Sequence, residues 1–158
     1  MSKSSFGRIL DVLSRHGVDF VVVGGVAAVL HGAPVTTFDL DALIRVEERN
    51  ADRLLAALNE LNARFREHAK TLRPDKRNIL AGGHLLLLTD AGPLDVLGYI
   101  GAHALYDDLV QAMLPMTIEG NEVKVLALDE LIRQKKALGR AKDDAAVRLL
   151  EEVARRRG

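Results

Sequence analysis

The run Phe20-Val21-Val22-Val23, closed by Gly24-Gly25, constrains the fold of this chain most. Four successive apolar residues, three of them β-branched, leave no polar face. The spacing therefore predicts a strand covered on both sides, at the centre of a sheet with helices packed against it. The residues before it, "SFGRILDVLSRHG", place Phe6, Ile9, Leu10 and Leu13 at helical spacing, with Ser4 or Ser5 as N-cap and Gly17 as C-cap.

The same logic extends along the chain. "VAAVLHG" reads as a short helix closed by Gly32, "TFDLDALIRV" as a strand, and "EERNADRLLAALNELN" as a helix with Leu54, Leu55, Leu58 and Leu61 on one stripe. "ARFREHAK" suggests a short edge strand and "TLRPDKRNILAGG" a polar loop. "HLLLLTD" and "PLDVLGYI" read as strands joined around the turn signal "DAGP". "AHALYDDLVQAM" reads as a helix, and "PMTIEGNEVKVLAL" as a hairpin with Gly120-Asn121 at its tip. Asp129 is a candidate cap for two final helices separated at Gly139. Antiparallel hairpins mixed with helices give an α+β class, a mixed sheet flanked by helices with a helical C-terminus. The expected organisation is a single domain over 1–158, with a core over about 18–125 and C-terminal helices over about 128–156.

Composition narrows the function classes. The 158 residues hold 22 basic and 22 acidic side chains, a net charge of zero, which argues against an overall electrostatic grip on nucleic acid or an anionic membrane. There is no cysteine, which excludes disulfides, thiolate zinc sites and cysteine nucleophiles. His16, His31, His68, His84 and His103 fall in no metal-ligand spacing and read as helix-end or surface residues, with His31 near enough to the glycine turn in sequence to touch a substrate. Two tyrosines and four phenylalanines do not make a stacking platform for single strands. No apolar run reaches the length of a membrane span and the amphipathic start is unlike a signal peptide, so a cytoplasmic protein is expected. Residues 131–158 carry nine Lys/Arg against four Asp/Glu. That stretch reads either as a solvated helix face or as a contact for a phosphate-rich partner, which "RPDKR" near residue 75 would reinforce.

Two aspartates, Asp39 and Asp41, lie inside the apolar segment "TTFDLDALI". On a strand they share one face, roughly 6–7 Å apart, while Phe38, Leu40 and Ala42 take the other. Buried carboxylates are costly without a partner, and a divalent cation would satisfy both. The plain alternative is an edge strand whose aspartates face water. Two neighbours weigh against it. Gly24-Gly25 ends a buried strand and opens a helix, where backbone N–H groups suit a phosphate. Asp95, between Leu94 and Val96, is a third acid on an apolar strand. A dinucleotide-binding turn is not supported, because the G-x-G-x-x-G spacing is missing.

"VVVGGVAAVLHGAPVTTFDLDALI", then "LDVLGYI", then "LDELIRQKKALGRAKDDAAVRLL" resemble the minimal nucleotidyltransferases of the polymerase-β-like superfamily, over residues 18–150. The nearest branches are the minimal bacterial enzymes and the toxin, antitoxin and abortive-infection types. The resemblance implies that Gly24 and Gly25 meet a triphosphate and that Asp39 and Asp41 hold two magnesium ions. Asp95 would help hold the catalytic ion and activate the acceptor hydroxyl. Thr37 corresponds to a hydroxyl residue near the phosphates and Lys135 to a lysine aimed at the nucleotide. Arg140, Lys142 and Asp143 correspond to an R-x-K-D signature.

The implied reaction moves a nucleoside monophosphate from an NTP to a hydroxyl acceptor: an RNA or tRNA end, a protein, or a small molecule such as an aminoglycoside. A partner protein or a homodimer could complete a site on so short a chain. The chain departs from the family at Val35, often an arginine, and at Ala146, often an acid. Those departures keep open an inactive binding subunit of a toxin–antitoxin or defence system.

Overall fold

The computed structural model describes residues 5–67 and 72–157. Ser4 and His68 lie outside the described residues. Helix α1 (Ser5–Arg15) buries Ile9, Leu10, Val12 and Leu13. A turn at Gly17, φ +69°, reverses the chain into β1 (Phe20–Val23), which is buried at every position. Helix α2 (Gly24–Leu30) starts without a break, so the glycine pair is the strand-to-helix junction itself. Strand β2 is Leu40–Ile44 and helix α3 is Glu48–Glu60, the latter capped by Glu47, whose carboxylate accepts from the Asn50 backbone N–H at 2.7 Å.

The short strand β3 (Arg64–Phe65) falls where an edge strand was expected. The expected polar loop contains a helix instead, α4 (Lys76–Leu80). Asp75 caps it, its carboxylate accepting from Asn78 N while the Asn78 side chain accepts from Asp75 N, both at 2.8 Å. Strands β4 (His84–Thr89) and β5 (Gly92–Leu97) form the expected pair. The segment Tyr106–Ala112 is 3-10 rather than α-helical. Strands β6 (Met113–Ile118) and β7 (Asn121–Leu126) pair with Ile118 opposite Asn121. The hairpin tip is therefore Glu119-Gly120, one residue earlier than expected, and both have positive φ, 50° and 84°. Helix α5 (Leu128–Leu138) begins with Ala127 as N-cap; Asp129 sits in its first turn and does not cap it. Gly139, φ +62°, ends α5 before α6 (Asp144–Arg157).

The class is α+β, as expected. One seven-stranded mixed sheet has the order β3-β4-β5-β2-β1-β7-β6. β1 lies near the middle, antiparallel to β2 and parallel to β7. β2 runs parallel to β5, with Asp41 opposite Asp95 and, on its other side, Asp41 opposite Val23. The main core is formed by the sheet with α1, α3 and part of α2. A separate small cluster of Ala28, Ala33, Leu128, Leu150 and Val153 fastens α6 to α2 and to the start of α5.

Candidate active site

The glycine junction is close-packed against two side chains from the β2 region. A β-carbon at Gly24 would collide with Asp41 Oδ2, and φ there is +66°. A β-carbon at Gly25 would lie 2.7 Å from Thr37 Oγ1. Glycine is thus required twice, by a left-handed backbone at one residue and by space at both. The Thr37 hydroxyl donates to the Asp39 carbonyl at 3.3 Å, which shapes the approach to β2.

β2 begins at Leu40, so Asp39 precedes the ladder rather than lying in it. Phe38, expected on the same strand face as Leu40 and Ala42, is instead 76% exposed for the same reason: strand alternation starts two residues after it. Asp41 is in the ladder, and register puts it directly beside Asp95. Burial pushes the Asp41 carboxyl up from its ordinary 3.8 to about 7, and the Asp95 charge, a hydrogen bond with Asp95 and the Asp39 charge push the same way. Lys135 pulls in the opposite direction.

Asp41 and Lys135 line one cavity of about 270 Å³ with Gly24, Gly25 and Gln134. Its remaining walls are mainly apolar and come from β1, β5, α2, α5 and α6. Val35 and Ala146, the two departures from the resemblance, both line it. Lys135 Nζ is 3.6 Å from Asp143 Oδ1, and Arg140 Nε donates to Asp143 Oδ2 at 2.6 Å. Asp143 is buried, and the Arg140 hydrogen bond, with help from the Lys135 charge, holds its carboxyl below the usual range. Arg140, Asp143 and Lys135 line an adjoining depression, whereas the exposed Lys142 lines neither cavity.

The structure therefore brings together Gly24, Gly25, Thr37, Asp41, Asp95 and Lys135, with Arg140 one step removed through Asp143. His31 is taken out of the site. Its ring is buried, with Nε2 2.8 Å from the Leu126 carbonyl and Nδ1 receiving Arg157 Nη1 at 2.8 Å. That bond leaves the ring proton on Nε2, which donates to the carbonyl. In the basic C-terminal stretch, Arg133, Lys135, Lys136, Arg140, Arg155 and Arg156 each pair with a nearby acid, which favours the solvated-face reading.

Arg66, not singled out in the sequence, reaches the carboxylates from just beyond β3. Its Nη2 donates to Asp95 Oδ1 at 2.7 Å and to the Leu87 carbonyl at 2.9 Å, and its Nη1 is 3.5 Å from Asp39 Oδ2. Its only sequence signal was alternation with Arg64 on an edge strand, which does not say what that face overlooks.

The Asp41–Asp95 pair has the chemistry of a hard-cation ligand set: two adjacent carboxylates must share a proton or a cation. Among the described residues, however, no three Asp, Glu, His or Cys side chains are grouped to hold one ion. Asp39 pairs with Arg66 instead. No described helix is long and apolar enough to cross a membrane.

No protein-family model and no curated protein matches this chain. Solved structures do. A protein from Thermotoga maritima described as a nucleotidyltransferase superimposes with a TM-score of 0.58 at 19% identity, over 89% of this chain and 86% of that one. ANT(2")-Ia, solved in complex with adenylyl-2"-tobramycin, gives 0.58 at 15% identity, over 94% of this chain and 90% of that one. An antigenic nucleotidyltransferase-like protein from Paracoccidioides brasiliensis gives 0.53 at 19% identity, over 92% and 72%. At these identities the likeness is one of fold.

Proposed function

We propose that this chain, which has the nucleotidyltransferase fold, transfers a nucleoside monophosphate from an NTP to a hydroxyl acceptor with magnesium. The observation that carries the reading is the in-register pair Asp41–Asp95, of which Asp41 lines one cavity with Gly24, Gly25 and Lys135. The acceptor oxygen attacks the α-phosphorus, the bond to the leaving pyrophosphate breaks, and the hydroxyl proton passes to the carboxylate pair. Magnesium, held by Asp41 and Asp95, would acidify the acceptor hydroxyl and offset triphosphate charge, and Asp39 would join as a further ligand only on parting from Arg66.

The chain's own residues do the rest. Gly24 and Gly25 let the backbone approach the phosphates without a side chain between. Lys135, held in place by Asp143, offsets the negative charge that grows on the leaving group. Arg140 orients Asp143, and Thr37 holds the loop against Gly25. The apolar walls suit the base and sugar. An RNA end, a protein or a small molecule such as an aminoglycoside would each supply the hydroxyl, and a partner protein or second copy could complete the acceptor side.

A non-catalytic binding subunit is the second reading. It is favoured by the Asp39–Arg66 pairing and by Val35 and Ala146 in the cavity wall. Label transfer from each α-phosphate-labelled NTP to RNA, to the chain itself and to aminoglycosides separates the two. Transfer that is lost in Asp95→Asn supports the enzyme. Nucleotide binding with no pyrophosphate release from any acceptor supports the binding subunit.

A further inference from the structure

Arg66 is the cation already in place. Its guanidinium lies against Asp95 and Asp39, and Arg66 is not among the residues that line the cavity shared by Asp41 and Lys135. Two of the three candidate ligands are therefore engaged by one side chain. The Leu87 carbonyl holds the same nitrogen that Asp95 accepts from. Arg66 Nε, by contrast, is buried with no hydrogen-bond partner among the described residues. A guanidinium free to choose would present that donor to water, so the carboxylates hold it in a position that leaves one of its own groups unsatisfied. Such a contact is poised to be exchanged. Arginine stays charged at all working pH values, so it leaves by moving and not by losing its proton.

We propose that Arg66 is a built-in competitor of the metal: it occupies the place between Asp39 and Asp95, and a second divalent ion enters only when the guanidinium swings away. The inference rests on the nucleotidyl-transfer reading of the site and adds to it a device that keeps the carboxylates from gathering a second ion before substrate arrives. An incoming triphosphate is the natural trigger, because its oxygens offer the guanidinium a bidentate partner as good as the carboxylates.

The test is equilibrium Mn²⁺ binding to the full chain in the absence of nucleotide, followed by loss of the free-ion EPR signal at physiological salt. Wild type, Arg66→Gln, Arg64→Gln and Asp41→Asn are compared. Arg64, which pairs with Asp90, controls for the loss of a nearby charge. The expected result is one ion per wild-type chain and two per Arg66→Gln chain, the first bound about tenfold tighter or more. Arg64→Gln behaves as wild type, and Asp41→Asn loses binding. Equal affinity and stoichiometry in wild type and Arg66→Gln, with binding still dependent on Asp41, overturns the competitor role and leaves the site standing. Binding that ignores Asp41 in every variant overturns both. If Arg66→Gln is unfolded by circular dichroism, Arg66→Met keeps the aliphatic stem and is read in the same way.

Discussion

Asp41 and Asp95 stand opposite each other on parallel neighbouring strands, β2 and β5, and only this register makes one carboxylate answer to the other. The pairing draws two acids distant in sequence to adjacent places in one sheet. It also sets the pH behaviour of the protein.

The Asp41 carboxyl lies at about 7, raised by burial first and by Asp95 second. The folded chain therefore binds this proton more tightly than the unfolded chain between pH about 4 and about 7. Metal-free stability should fall as pH rises through that window, with the whole penalty present above it. Asp41→Asn should remove the slope and add on the order of 1–3 kcal/mol near pH 8. Urea denaturation at pH 5 and pH 8 checks this. An Asn variant with the same effect at both values contradicts it.

Gly24 admits no β-carbon beside Asp41 and has φ of +66°. Gly24→Ala should cost about 1–3 kcal/mol from backbone strain and the displaced carboxylate. It should weaken nucleotide binding more than Gly32→Ala, where φ is also positive, at +102°, but a β-carbon would have nothing among the described residues within 4 Å. Thermal melts and nucleotide titrations of the two variants read strain and site effects separately.

Lys135 is steered by Asp143, 3.6 Å away, which Arg140 holds in turn. Lys135→Ala should raise the Kd for a triphosphate about tenfold or more. Asp143→Ala should raise it by less, since the charge stays and only its placement is lost. A loss in Asp143→Ala greater than in Lys135→Ala would mean that Asp143 does more than position the lysine.

Leu150 is 5% exposed in the small cluster joining α6 to α2. Leu150→Ala should cost about 2–4 kcal/mol. It should also weaken nucleotide binding, because Leu150 lines the cavity as well. Denaturant unfolding and calorimetry on the same preparation test the link between docking of α6 and the site.

Much of this was legible in the chain. The both-faces-apolar run at Phe20–Val23 marked a central strand, and Gly24-Gly25 marked its junction with a helix, because those residues have few other uses. Helix α4 was hidden: its five residues include three polar ones, and the Asp75–Asn78 capping box that starts it outweighs the polar character of the segment. Asp39 looked like a strand residue because alternation with Asp41 continues backwards in sequence, whereas pairing with β5 begins only at Leu40. Arg66 could not be assigned from spacing. It meets Asp95 because β4 and β5 pair and β3 adds to β4, a strand order that no local pattern encodes. Val35 and Ala146 were separate departures in sequence; the fold puts both into one cavity wall.

The most direct measurement is calorimetric binding of each nucleoside triphosphate, with and without magnesium, to wild type and to the Asp39→Ala/Asp41→Ala variant. Binding that needs both the ion and the aspartates, and that names the preferred base, is the expected result. Binding by the folded variant as tight as by wild type, or none by folded wild type with magnesium present, would contradict it.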